Sequence, residues 1–164
     1  MVIVILGVSG AGKTTVGKAL ARELGLEFFE GDDFHPAENR NKMHAGIALT
    51  DADRRPWLAA LRRLIDEVLD RGGDAVLACS ALRQSYRDEL SREGVKFVYL
   101  KARPEVIRQR LEQRRGHFFD PKLLDSQFAT LEEPQDALTV NAEQSVPEIV
   151  SDIRRRLENE PRTG

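Results

Sequence analysis

Sulfur is nearly absent: Cys79 is the one cysteine in 164 residues. That excludes an intramolecular disulfide and leaves too little thiolate for a structural zinc site. Excess charge of either sign is absent too, since 25 Lys and Arg against 27 Asp and Glu give a formal net charge of -2. A general nucleic-acid binder is usually more basic, so no nucleic-acid partner is expected. Long apolar runs are missing as well. The run Val2 to Leu6 stops at Gly7 and has no basic leader, whereas a membrane span needs about 18 apolar residues. Neither a spanning helix nor a signal peptide is expected, and cytoplasm is the default location. No internal repeat, low-complexity linker or composition shift marks a boundary. At this length a single domain, residues 1–164, is expected, because two well-cored ones would not fit.

What the chain does contain is an alternation of apolar strands and amphipathic helices. Val2 to Leu6 reads as a strand, followed by a glycine-rich turn and a helix from Lys13 to Leu24 that Gly25 ends. Phe28 to Glu30 reads as a second strand, and Pro36 to Ala45 as a helix with proline in its first turn. Asp53 is the expected N-cap of a long helix to Arg71, with Pro56 in its first turn and an apolar stripe from Trp57 to Leu69. Ala75 to Cys79, Lys96 to Leu100 and Leu138 to Val140 read as further strands. Helices are expected over Tyr86 to Arg92, Glu105 to Arg115, Leu123 to Thr130 and Pro147 to Leu157, with a loop over Gly116 to Pro121. This alternation predicts an α/β fold whose mainly parallel sheet is covered on both faces, with ligands beyond the strands' carboxyl ends.

Gly7, Val8, Ser9, Gly10, Ala11, Gly12, Lys13 and Thr14 match the phosphate-loop pattern, with Thr15 following in the first helical turn. Glycines let backbone N–H groups close around phosphate oxygens, and the helix N-terminus favours the anion. Lys13, expected as an exposed loop lysine, would reach the outer phosphates, and the Thr14 hydroxyl would ligate magnesium. ATP or GTP with a divalent ion is the implied ligand.

A magnesium-holding aspartate at the end of a second apolar strand is missing, because Ala75 to Cys79 runs on into Ser80. The nearest acids at a strand end are Glu30, Asp32 and Asp33. They would serve as general base and magnesium shell, or else merely cap the next helix. Between Lys101 and Gly116, six cationic residues (Lys101, Arg103, Arg108, Arg110, Arg114 and Arg115) face only Glu105 and Glu112. On a continuous helix Arg110 and Arg114 share a face and lead into Gly116, His117 and Phe118, a loop able to fold over phosphate. The alternative is a solvated cationic face. Trp57 reads as core packing rather than a sugar platform, His44 as a surface residue and Cys79 as a small buried strand residue.

Several ordered blocks go further: Gly31-Asp32, His35-Pro36, Asn39, Lys42-Met43, Asp53-Arg54-Arg55-Pro56-Trp57-Leu58, Cys79-Ser80-Ala81-Leu82, Tyr86-Arg87-Asp88, Arg110-Leu111, Gly116-His117-Phe118, Ser126-Gln127-Phe128, Leu131-Glu132 and Pro134. Together with the phosphate loop they resemble the gluconate kinase family, a branch of the small-metabolite P-loop kinases related in fold to shikimate and adenylate kinases. The resemblance implies a P-loop NTPase three-layer α/β/α fold with a five-stranded sheet and a small lid at about residues 114–134. It implies transfer of the ATP γ-phosphate to the terminal hydroxyl of D-gluconate, with Asp32 as base and Glu30 as the magnesium-shell acid. His35 and Arg54 would line the sugar-acid pocket, Arg83 and Gln127 are further candidates for it, and Arg110 and Arg114 would grip phosphates. The stretch from Asn141 to Val146 would skirt the adenine, and a homodimer is implied.

Three positions depart from the family pattern: Glu30 replaces a commoner aspartate, Ala48 a proline and Arg83 a lysine. Arg83 keeps the charge but changes a point ammonium into a planar fork, which bears on substrate fit rather than on reaction type. Two other readings stand beside the first. One is a P-loop kinase for another small hydroxylated metabolite such as shikimate or a nucleotide, and the other a non-catalytic nucleotide-binding sensor, which would need no acceptor pocket. Lys13→Ala is expected to abolish measurable phosphoryl transfer while the protein still folds, to be checked by circular dichroism beside a steady-state ADP-release assay.

Overall fold

Val2–Leu6 forms β1, and its position explains most of the architecture: every residue is buried, so the strand must be covered on both faces and both edges. In the computed structural model, which describes residues 1–114 and 121–161, β1 is the middle strand of five. The others are β2 (Glu27–Glu30), β3 (Ala75–Ala78), β4 (Val95–Lys101) and β5 (Leu138–Asn141). Their order is β2-β3-β1-β4-β5 and every neighbouring pair is parallel. Alternate side chains of β1 point to opposite faces. Ile3 and Ile5 join a cluster with Leu20, Val98, Leu100, Ile107 and Ile153. Val2, Val4 and Leu6 join another with Trp57, Leu61, Ile65, Leu77 and Leu90.

Those partners come from helices on the two faces. Packed in the first cluster are α1 (Lys13–Leu24), α5 (Pro104–Glu112) and α7 (Val146–Glu158), while α3 (Asp51–Asp70) and α4 (Gln84–Leu90) cover the other face. The result is the expected three-layer α/β/α arrangement. Helix α6 (Pro121–Thr130) adds Leu124 to the first cluster, α2 (Ala37–His44) adds no residue to either, and a 3₁₀ turn, Gly31–Phe34, follows β2. Among the described residues no helix is long and apolar enough to cross a membrane. Because all strands are parallel, the loops after β1, β2, β3, β4 and β5 gather at one edge. The chain reverses its direction of sheet growth at β1, so the crevice for a ligand opens there.

Three expectations need correction. The N-cap of α3 is Thr50 rather than Asp53: the Thr50 hydroxyl accepts from the Asp53 N–H at 3.1 Å, and the Asp53 carboxylate accepts from the Thr50 N–H at 3.0 Å. This reciprocal capping box displaces Asp53 to the third helical position. Pro56 therefore falls inside the helix, where it has no N–H to donate to the Ala52 carbonyl. Finally, α5 closes at its C-cap Gln113, so Arg114 lies past the helix and does not share a helical face with Arg110. Arg115 and the Gly116-His117-Phe118 block lie outside the described residues.

Asp53 is held well below the usual carboxylate range, to about 2, by the Thr50 backbone N–H and by Lys42, whose Nζ lies 2.9 Å from its Oδ1. The stabilisation it gives is fully present above its ordinary pKa of 3.8 and is lost as the pH falls towards 2. Asp53→Asn should therefore lower the urea midpoint at pH 7, and the gap from wild type should close progressively below pH 3.8.

Candidate active site

The loop from Gly7 to Gly12 leaves the carboxyl end of β1 and turns directly into α1. Gly10 has φ +83, and a Cβ there would lie 2.9 Å from Leu111 Cγ and 3.0 Å from Ile107 Cγ2. The loop thus sits against α5 so closely that only glycine fits. Helix α1 begins at Lys13 with Gly12 as an N-cap that offers no side-chain acceptor, and its first turn holds no acid. Helices α2, α3, α5 and α7 each carry an acid there, while α4 and α6, like α1, do not. The orphan N–H groups of α1 are therefore left for an external anion. This concave, cationic loop fits a polyphosphate.

Lys13 is part-buried, not the exposed lysine expected, and its Nζ donates to the Val8 carbonyl at 3.0 Å. Burial lowers its pKa, and the negative charge of Asp32 works against that shift, as does Glu30; Arg114 adds to the lowering. Lys13, Glu30, Asp32 and Arg114 thus share one electrostatic neighbourhood. The Thr14 hydroxyl donates to Glu30 Oε2 across the gap between α1 and the end of β2. These two oxygen groups are of the type that suits a magnesium ion completed by water and phosphate oxygens. Among the described residues no cluster of three or more His, Cys, Asp or Glu makes a metal cage by itself.

The acceptor side is built by the turn after β2. Gly31 packs so tightly on β3 that a Cβ would lie 2.5 Å from the Ala78 carbonyl oxygen. Its own carbonyl accepts from Trp57 Nε1 at 2.8 Å. Asp32 emerges from this turn exposed and lines the cleft beside Lys13, whereas the Asp33 carbonyl is taken by Arg40 Nη2 at 2.6 Å. His35 stacks on Trp57 with centroids 4.3 Å apart and planes within 11°. Trp57 is therefore a buried support whose face is covered by an imidazole. Burial lowers the His35 pKa, Asp32 raises it, and Arg54 and Arg40 lower it further.

Arg54 lies at the start of α3. Its Nη1 donates to the Leu49 carbonyl at 2.8 Å and to the Tyr86 hydroxyl at 3.1 Å, and the Tyr86 hydroxyl donates in turn to Asp51. Neither Asp51 nor Asp53 pairs with Arg54 directly; Asp51 reaches it through Tyr86 and Asp53 is engaged by Lys42. The Arg54 Nε and Nη2 groups make no hydrogen bond among the described residues. Arg83 is exposed at the N-cap of α4 and is not part of the cleft wall, although its charge helps lower the Asp51 pKa after the Tyr86 bond and against burial.

From α6, the Gln127 carboxamide accepts from the Ser9 N–H at 2.7 Å and donates to the Ser9 hydroxyl at 2.9 Å. Gln127 therefore touches the phosphate loop and also lines the cleft with His35 and Arg54. Arg110 Nη2 donates to the Ala142 carbonyl at 2.6 Å, which fastens α5 to the loop after β5. Cys79 is buried just after β3, and burial with Asp32 nearby pushes its thiol up to about 12. His44 is exposed.

Sequence reasoning assigned no role to Tyr86 or to Arg87. Arg87, 2% exposed, donates to the carbonyls of Ala81 at 2.8 Å, Leu82 at 3.1 Å and Glu132 at 2.7 Å. It clamps the turn after β3, where Ala81 has φ +35, to the segment following α6. A buried charge held by carbonyl dipoles leaves no periodic signal. The one trace in the sequence is the Tyr86-Arg87-Asp88 block itself.

A family model for shikimate kinase matches residues 9–158. A probable gluconokinase of Dictyostelium discoideum is 42% identical over 93% of this chain and 84% of its own. A solved gluconokinase from Sinorhizobium meliloti is 43% identical with a TM-score of 0.84, covering 96% of this chain and 93% of that one. The chain belongs to the gluconokinase family. A sugar kinase from Janibacter superposes with a TM-score of 0.89 at 41% identity, over 98% of this chain and 95% of that one. The expected family and P-loop kinase fold are thus borne out, and a kinase of this type uses ATP.

Proposed function

We propose that the protein transfers the γ-phosphoryl group of ATP to the terminal hydroxyl of D-gluconate, giving ADP and 6-phospho-D-gluconate. The observation that carries this reading is the cleft in which the phosphate loop, at Ser9 and Lys13, faces Asp32, His35 and Arg54 across a narrow gap. A nucleotide sensor would have no use for that second wall. The likeness to gluconokinases at 42% and 43% identity supports gluconate over shikimate as acceptor.

On this reading the hydroxyl oxygen attacks the γ-phosphorus as its proton passes to Asp32, and the bond to the bridging oxygen of ADP breaks. Lys13 and Arg114 stabilise charge on the phosphoryl group, and Arg110 fixes the loop beside the nucleotide. Thr14 and Glu30 would hold Mg2+, which supplies charge neutralisation at the phosphates. Arg54 has the guanidinium edge to take the gluconate carboxylate in a two-point contact, with His35 and Gln127 beside it. The proposal extends to a homodimer acting in the cytoplasm on a small-molecule substrate, without a nucleic-acid or membrane partner, and to a lid at about residues 114–134, of which 115–120 lie outside the described residues.

Two measurements test it. Asp32→Asn should lower turnover by about 10²- to 10⁴-fold, the usual cost of losing a positioned base, whereas Asp33→Asn, at a residue that does not line the cleft, should stay within about threefold. A loss under about threefold for Asp32→Asn removes it as base. In a coupled assay, gluconate should release ADP far better than sorbitol, shikimate or nucleoside monophosphates. Arg54→Ala should narrow the gluconate-to-sorbitol ratio of kcat/KM chiefly by harming gluconate, because a neutral polyol never paired that charge. An unchanged ratio moves acid recognition away from Arg54.

A further inference from the structure

Asn39 and His35 are both buried, at 4% and 7% exposure, where the 3₁₀ turn passes into α2. Asn39 Nδ2 lies 2.7 Å from the Asp53 carbonyl oxygen and 3.2 Å from His35 Nδ1. A carbonyl oxygen can only accept, so the amide end facing Asp53 is the nitrogen. The same nitrogen carries a second N–H, which meets Nδ1, and Nδ1 must therefore be the lone-pair side of the imidazole. The ring proton then sits on Nε2. One face of the ring is covered by Trp57 and the Nδ1 edge by Asn39, which leaves the Nε2 edge for the cleft that His35 lines. Nε2 makes no hydrogen bond among the described residues.

We infer that Asn39 is a positioning residue that locks His35 as the Nε2–H tautomer, so that this ring offers the acceptor cleft a hydrogen-bond donor. The ligand chemistry it selects is an oxygen acceptor on a polyhydroxy acid, a hydroxyl or a carboxylate. The inference deepens the gluconate reading and rests on it for the identity of that oxygen. The charged groups around the ring are Asp32 from its own turn, Arg40 from α2 and Arg54 from α3. Asp53, whose carbonyl holds Asn39, has its carboxylate committed to Lys42 and Thr50. Burial and the two arginines favour the neutral ring against Asp32. A neutral ring has one donor only, so the Asn39 contact decides which nitrogen carries it.

The test is a long-range ¹H–¹⁵N correlation spectrum of histidine-labelled protein without nucleotide or acceptor. The chain has three histidines, and His35 is assigned by the signal lost in His35→Gln. Wild type should show the Nε2–H tautomer at neutral pH. Asn39→Asp, whose carboxylate only accepts towards the ring, should place a proton on Nδ1 and shift the His35 titration to higher pH. In kinetics the same variant should raise the gluconate KM on the order of tenfold, with the ATP KM within about twofold. Asn39→Ser, which keeps a donor, should fall between.

An Nδ1–H signal in wild type overturns the inference with no variant needed, so a poorly folding Asn39→Asp does not protect it. An unmoved tautomer in folded Asn39→Asp also overturns it, as does a moved tautomer with an unchanged gluconate KM. Because the spectrum is taken without acceptor, a wild type that releases no ADP with gluconate overturns the acceptor reading instead and is told apart from these results.

Discussion

Burial of β1 on both faces and both edges is the constraint from which the site follows. A strand so placed in a parallel sheet must deliver its loop to the carboxyl edge, where the turns after β2 and β3 arrive beside it. The phosphate loop is therefore not an appendage but the exit of the most buried strand. The buried strand fixes its start, and at Gly10 it packs directly against α5. Electrostatic stabilisation of a phosphoryl group depends on donors that do not reorganise, and this anchoring supplies that condition.

The opposite wall depends on Trp57 in a comparable way. One indole holds the Gly31 carbonyl through its N–H and supports the His35 ring through its face. The long helix α3 thereby sets the position of the turn that carries Asp32. Its N-terminal capping box contributes too, because Asp53 lends its carbonyl to Asn39 and its carboxylate to Lys42. Stability and site geometry use the same few residues at this corner, so substitutions there will rarely separate the two cleanly.

Cations near the cleft fall into two sorts. Arg87 and Arg110 are engaged by backbone carbonyls and hold segments together: Arg87 the turn after β3, Arg110 the loop after β5. Lys13, Arg54 and Arg114 are left with donor capacity or with charge directed at the cleft region. The positive excess of the Lys101 to Gly116 segment is thus only partly available to an anion. Arg103 is taken by Glu143 and Arg108 by Asp125.

Local patterns in the chain are enough for the strand and helix alternation, the phosphate loop at the head of α1, the parallel sheet and, through its ordered blocks, the family. These are legible because periodicity, glycine spacing and helix stops are local properties of the chain. Boundaries that depended on choosing between nearby polar residues were less legible. Thr50 and Asp53 are both good N-caps, and only the reciprocal bond decides which of them caps α3. Only the packed layers link Arg54 to Asp51 through Tyr86, rest Gln127 on Ser9 from 118 positions away, and place a buried arginine on the turn beside the cleft. Such contacts join residues far apart in the chain through single polar atoms. Their geometry follows from how whole layers pack, which no local pattern records.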